Sequence, residues 1–129
     1  MNKLDKESVI GISALLVHAA NIDENYSDHE KDLVKEFIKS YLKKENSDEI
    51  LKKAEEIEKN SNQLLNYTNI IKQNSLELKK DIIEHLWKVL ISDNTVDQYE
   101  SNLMRRICGL IYFSDKECAE IKLNLLSSK

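Results

Sequence analysis

Two pairs of carboxylates with one spacing are the residues of this sequence best suited to chemistry. Asp23 is followed seven residues later by Glu30, and Asp93 is followed at the same distance by Glu100. Carboxylate oxygens bind hard divalent cations such as Ca²⁺, Mg²⁺ and Mn²⁺, and they also pair with basic groups on partner proteins. The four residues therefore form a candidate site for a divalent cation or for a basic protein partner.

Helix capping explains part of the same pattern without any ligand. Glu30 and Glu100 each fall at the third position of a predicted helix, where a carboxylate reaches back to the capping N–H group. Asp23 and Asp93 each follow the end of a predicted helix, where negative charge opposes the helix dipole. Either an Asx turn or a facing cation would compensate for that cost. Both explanations stay open for the two aspartates.

Both loops also fail the requirements of an EF-hand, although oxygen-bearing side chains occupy its first, third and fifth positions. The sixth position needs glycine and holds Asp28 or Gln98. The twelfth position needs a bidentate glutamate and holds Val34 or Met104. A Ca²⁺ or Mg²⁺ site would therefore need oxygens pooled from elsewhere, including from both loops together.

An internal repeat predicts the elements that carry these loops. Residues 23–30 align without a gap on residues 93–100, and the apolar helical face that follows each segment is also repeated. The paired positions of that face are Leu33, Val34, Phe37, Ile38 and Tyr41 in the first copy and Leu103, Met104, Ile107, Cys108 and Ile111 in the second. Such a stripe is wide enough to pack against two neighbouring helices.

Start signals divide each copy into three helices. Capping residues are predicted at Ser27, Asp97 and Ser114, each three residues before a glutamate, and further helices open at Ser47 and Ser75. Strongly apolar segments at 9–20 and 82–91 precede the two acidic loops and are expected to form the centre of the molecule.

The fold predicted from these signals is all-α, a compact seven-helix bundle with two pseudo-symmetric three-helix halves. The repeat covers 8–59 and 75–126, a short helix at 62–74 joins the halves, and 1–129 form a single domain. With 129 residues, no proline and only two glycines, the chain is long enough to bury a core and lacks the usual residues of tight β-turns.

Charge and cysteine usage exclude several classes of function. The net charge is −4 and only two of the nineteen basic residues are arginine, which disfavours nucleic-acid binding. Cys108 and Cys118 show neither a zinc-ligand nor a redox-motif spacing and are expected to be buried thiols. The apolar run at 9–20 is too short to span a bilayer, and the mixed charges of the first eight residues do not match a signal peptide, so a cytoplasmic protein is expected.

The four carboxylates resemble the repeated motif of the TerB-like domains, named for the bacterial tellurite-resistance protein TerB. That motif is Ala-Asp-Gly, an aliphatic residue and a glutamate seven positions after the aspartate; here the corresponding triplets are Ile-Asp-Glu at 22–24 and Ser-Asp-Asn at 92–94. Val96 matches the aliphatic position of the second copy, whereas Tyr26 replaces it in the first. The resemblance implies an internally duplicated helical module of stress and tellurite responses, with metal-handling acidic residues and protein partners often at the inner membrane. Catalysis is not part of what it implies.

Other polar and aromatic residues have structural explanations. His18 is expected to be a hydrogen-bonded core histidine, His29 an exposed one with metal binding as the alternative, and His85 a surface residue. Trp87 is expected to pack in the core, with contact to a partner as the alternative.

Three functions therefore compete. The first is a non-enzymatic TerB-like binding module whose acidic loops bind a divalent cation or a basic partner. The second is a carboxylate- and metal-dependent hydrolase at the same residues, although no catalytic nucleophile motif is present and aromatic residues are only 6% of the chain. The third is a purely structural interaction domain that contacts partners through Trp87 or Tyr99.

Overall fold

The helices of this chain begin where short polar side chains cap them. The computed structural model describes residues 5–21, 28–60, 68–69, 71–91 and 98–127, the last range with its first four residues as backbone only. These residues form six α-helices: α1 Lys6–Ala20, α2 Asp28–Tyr41, α3 Ser47–Asn60, α4 Leu76–Leu90, α5 Gln98–Leu110 and α6 Asp115–Ser127. No strand occurs among them, which confirms the all-α fold class.

Two of the predicted caps are confirmed. The Ser75 hydroxyl accepts a hydrogen bond from the Leu78 N–H group at 3.3 Å, and the Ser114 hydroxyl accepts one from the Glu117 N–H group at 3.4 Å. These bonds satisfy N–H groups that the first turn of a helix otherwise leaves unpaired. They begin α4 and α6 where the sequence predicts.

Two further helices are capped by residues that the sequence analysis did not single out. α3 begins at Ser47, as predicted, and the Asn46 side chain caps it by accepting a hydrogen bond from the Asp48 N–H group at 2.9 Å. Asp5, which was not predicted as a cap, caps α1 by accepting a hydrogen bond from the Ser8 N–H group at 2.8 Å. Asparagine and aspartate both cap as well as serine does.

Helices α1 and α4 lie at the centre of the bundle, as their apolar sequences predict. α1 packs against α2, α3 and α4, while α4 packs against α1, α2 and α6, and α6 also contacts α5. The fully buried side chains of the two central helices include Val9, Ile12, Leu15, Leu16, Ile82, Ile83 and Leu86. No helix in the described ranges is both long and apolar enough to cross a bilayer.

The prediction of seven helices is not confirmed. Of the predicted joining helix at 62–74, residues 62–67 and 70 lie outside the described ranges. Thr68 and Ile71 are buried, and residues 68–69 and 71–72 have helical backbone. The pseudo-symmetry of the two halves stays a prediction from the sequence repeat.

Candidate functional site

The four predicted carboxylates fall at two helix junctions, of which the structure describes only a part. Asp23 and Asp93 lie outside the described residues, and Glu100 belongs to α5 with its side chain outside them as well. Glu30 is described in full and occupies the first turn of α2. The structure therefore neither brings the four carboxylates together nor separates them.

Glu30 is buried although its neighbours in the same turn are not. Its side chain is 7% exposed, whereas Asp28 and His29 are exposed to solvent, His29 as expected from the sequence. Burial of a carboxylate is costly unless positive charge or hydrogen-bond donors compensate for it. The N-terminus of α2 supplies a partial positive charge at this position. Glu30 is thus buried in the first turn of α2, shortly after the first acidic loop in the sequence, where it could serve as a capping residue or a metal ligand.

The start of the first acidic loop is fixed by hydrogen bonds to α3. Asn21, the last described residue before the loop, donates from Nδ2 to Glu58 at 3.3 Å, and its backbone N–H group bonds to the Val17 carbonyl at 3.0 Å. His18 Nδ1 lies 3.4 Å from the other oxygen of Glu58. The expectation of a hydrogen-bonded His18 is confirmed, but the ring is not fully in the core, because its side chain is 35% exposed.

His85 is buried, and the prediction of a surface histidine was wrong. The residue is 8% exposed, because the α2 residue Phe37 places its ring edge-on to the imidazole at a centroid distance of 5.1 Å. His85 Nε2 lies 3.7 Å from Asp81 Oδ1, and the Tyr41 hydroxyl donates a hydrogen bond to the other oxygen of Asp81. Tyr41, Asp81 and His85 thus form a polar cluster, named here the α2–α4 cluster.

Burial sets the protonation states of the α2–α4 cluster. Burial lowers the pKa of His85, while the neighbouring charge of Asp81 opposes that shift. Burial and the hydrogen bond to Asp81 both raise the pKa of Tyr41 above its ordinary value. His85 and Tyr41 are therefore both neutral at neutral pH. The hydrogen bond from Tyr41 to Asp81 joins α2 to α4, and the Asp81 side chain stays partly exposed to solvent.

The other face of α4 borders an open cleft. The cleft measures about 440 Å³ and is lined by Trp87, Met104, Arg105, Asp115, Cys118, Ala119 and Lys122. Trp87 is 4% exposed and donates its indole N–H to the Cys118 carbonyl at 3.2 Å, which confirms the packed aromatic residue expected at this position. Lys122 Nζ lies 5.2 Å from the centroid of the same ring.

Both cysteines are buried free thiols, as the sequence predicts. Cys118 lines the cleft beside Trp87, whereas Cys108 is fully buried. In the described part of the chain, no group of three or more histidine, cysteine, aspartate or glutamate side chains could hold a metal ion.

Comparison with protein families gives a match over most of the sequence. The family model described as "Tellurite resistance protein TerB" matches residues 10–123. This range includes all four predicted carboxylates and both copies of the repeated loop. No curated protein and no solved structure matched the chain.

Proposed function

Because this chain belongs to the tellurite resistance protein TerB family, we propose that it is a non-enzymatic binding module whose acidic loops bind a divalent cation. The proposed ligands are Asp23, Glu30, Asp93 and Glu100, and the proposed ions are Ca²⁺, Mg²⁺ or Mn²⁺. Each of these hard ions prefers carboxylate and carbonyl oxygens. The family membership also supports placing the module in a stress or tellurite-resistance context in the cytoplasm.

The burial of Glu30 carries this proposal. Capping alone places a glutamate at the third helical position, and such a residue usually keeps its carboxylate partly in water. Here Glu30 as a whole is only 7% exposed, in the first turn of the helix that follows an acidic loop. A divalent cation beside it would stabilise the buried carboxylate further, in addition to the partial positive charge of the helix N-terminus.

Binding of the cation suggests a mechanism of action. Mutual repulsion of the loop carboxylates would be relieved by the ion, and the ordered loops could then dock a protein partner. Such a partner could itself associate with a membrane and so bring the module there indirectly. A basic segment of a partner protein could neutralise the same carboxylates in place of an ion. A nucleic-acid partner is disfavoured by the net charge of −4.

Thermal melts test the proposal. Purified protein is melted with and without millimolar Ca²⁺, Mg²⁺, Mn²⁺ and Zn²⁺, alongside the variant Asp93→Asn. An ion at 100 times its dissociation constant stabilises the native state by about 2.7 kcal/mol, which raises Tm by several degrees. We expect at least one of the hard ions to raise Tm of the parent protein, and Asp93→Asn to abolish that rise.

Asp48→Asn is the matched control. Asp48 lies in the first turn of α3, its side chain is 66% exposed, and it pairs with Lys35. This variant should keep the full response to the ion. If no ion raises Tm of the parent protein, the cation site is wrong. Binding to a basic peptide that Asp93→Asn abolishes would then favour the partner interpretation.

A further inference from the structure

Helix α6 carries an apolar surface that is wider than its neighbours cover. In the described part of the chain it packs against α4 and α5, and the apolar side chains that it turns toward the core are Cys118, Ile121 and Leu125. A second apolar row lies beside that core-facing surface, at the helical spacing of Ala119, Leu123 and Leu126. Leu123 is 61% exposed and Leu126 is 39% exposed, and Ala119 is exposed as well. The bundle therefore leaves the second row open to solvent.

The second row borders the cleft between α4, α5 and α6. Ala119 belongs to the row and also lines the cleft of about 440 Å³. Trp87 and Met104, which are 4% and 1% exposed, give the cleft an apolar floor. The cleft lining together with Ala119, Leu123 and Leu126 is named here the α6 face. Exposed aliphatic side chains beside an apolar cleft are typical of surfaces that hold the anchor residues of a partner.

Two cations lie at the edge of this apolar floor. Arg105 of α5 and Lys122 of α6 both line the cleft, and in the described ranges neither forms an ion pair with a carboxylate. Lys122 Nζ lies 5.2 Å from the centroid of the Trp87 ring, which favours an ammonium group above the floor. Asp115 lines the cleft too, but it lies in the first turn of α6, where the helix N-terminus compensates for its charge. The α6 face therefore combines apolar side chains with two cations that are available to a partner.

We propose that the α6 face docks an acidic amphipathic helix of a partner protein. The apolar stripe of that helix packs along the exposed row of α6, because rows at this spacing are those through which helices pack on one another. A large apolar residue of the stripe enters the cleft over Trp87, and carboxylates beside it pair with Arg105 and Lys122. A basic or uncharged helix would leave these two cations unpaired at an apolar surface. The α6 face and the proposed cation site share no residue, and the two surfaces attract ligands of opposite charge.

Selection from a displayed library tests the chemistry of the partner. The library holds variable segments of about 16 residues, enough for about four helical turns. It is first depleted on the double variant Arg105→Glu, Lys122→Glu and then selected on the full parent chain, so that segments bound elsewhere on the protein are removed. We expect the enriched segments to be acidic, with apolar residues spaced three and four positions apart.

The fluorescence of Trp87 measures binding of a selected segment. Trp87 is the single tryptophan of the chain, and it lines the cleft. A selected segment without tryptophan is synthesised, together with a version in which lysine replaces every acidic residue. We expect the acidic peptide to change the Trp87 fluorescence to saturation, and the lysine version to bind at least about tenfold more weakly.

Matched substitutions assign the contributions of charge and of apolar contact. Arg105→Gln should weaken binding of the acidic peptide by about threefold or more. Arg106→Gln, at an exposed arginine of the same helix outside the cleft lining, should leave the affinity unchanged. Leu123→Ser should weaken binding by about fivefold or more. Leu76→Ser, at a leucine of α4 that is 54% exposed and outside the α6 face, should not.

Other occupants of the α6 face would give different results. Enrichment of basic or uncharged segments, or no enrichment that depends on Arg105 and Lys122, would overturn the proposal. Equal affinity of the parent protein for the acidic peptide and its lysine version would also overturn it, and that comparison uses the unaltered chain. Sedimentation of the parent protein alone tests the remaining occupant. A dimer that Leu123→Ser dissociates would show that a second copy of this chain, and not an acidic partner, covers the α6 face.

Discussion

The α2–α3 and α5–α6 helix pairs begin from the same sequence pattern, but different side chains line them. Ile38 of α2 aligns with Cys108 of α5 in the sequence repeat. Ile50 and Cys118 both lie four residues after their helix caps and make the same backbone bond to them, at 3.1 and 3.0 Å. The positions that hold two buried isoleucines in the first copy hold two thiols in the second.

The two helix pairs also differ in the contacts that their basic residues make. Lys35 of α2 donates to Asp48 of α3 at 2.7 Å, and this bond lowers the pKa of Asp48. Arg105, which aligns with Lys35 in the repeat, instead lines the open cleft beside Cys118. The first pair is closed by an ion pair, while the second leaves its cation next to a thiol.

The largest change in stability is expected from a substitution in the α2–α4 cluster. Tyr41→Phe removes the hydroxyl that donates to Asp81 and leaves a half-buried carboxylate with one donor fewer. We expect the free energy of unfolding to fall by about 1–2 kcal/mol, measured by urea denaturation. Tyr112→Phe, a matched change at an exposed tyrosine, should cost much less. Equal effects of the two changes would mean that the cluster does not tie α2 to α4.

The pH dependence of stability should also arise in the α2–α4 cluster. The folded-state pKa of His85 is lowered by burial, so below about pH 6.5 the unfolded chain binds a proton that the folded chain does not. Stability should therefore be full above that pH and fall as the pH drops through it, by at most about 1.4 kcal/mol per pH unit. The charged groups acting on His85 are Asp81, Lys88, Glu36 and Glu84.

His85→Gln should remove this component of the pH profile, as measured by denaturation at a series of pH values. His29→Gln, at an exposed histidine, is the matched change and should leave the parent profile in place. A profile for His85→Gln that still falls as steeply as that of the parent protein would assign the pH dependence to other groups.

The smallest expected change in stability comes from the turn between α5 and α6. Tyr112 is a bulky residue at positive φ, a conformation that glycine adopts without steric cost. Tyr112→Gly should raise the free energy of unfolding by about 0.5–1 kcal/mol, because the relieved strain exceeds the lost contact with Lys72. Tyr112→Ala loses the same contact without relieving the strain and should be destabilising. A loss of stability in Tyr112→Gly would show that the ring, and not the backbone, holds this turn.

The parts of the fold that local sequence determines could be predicted. Ser75 and Ser114 cap helices because capping depends on a hydroxyl and the next three residues. The apolar segments at 9–20 and 82–91 are central because a helix that is apolar on most sides must be covered by neighbours. Trp87 packs for the same reason. The four carboxylates were identified by their spacing, and their role stays a prediction.

Features that depend on distant residues could not be predicted. His85 was expected at the surface, but the ring of Phe37 from another helix covers the imidazole. The turn between α5 and α6 holds tyrosine at positive φ, where sequence reasoning would look for glycine.

The central claim is that carboxylates of both acidic loops form one cation site. Calorimetric titration with the ion that raises Tm most would test this claim most directly. The parent protein is compared with Glu30→Gln and Glu100→Gln, one change in each loop. A site that draws on both loops predicts about a tenfold or larger loss of affinity in each variant. Full affinity in either variant, or no heat of binding in the parent protein, would contradict the claim.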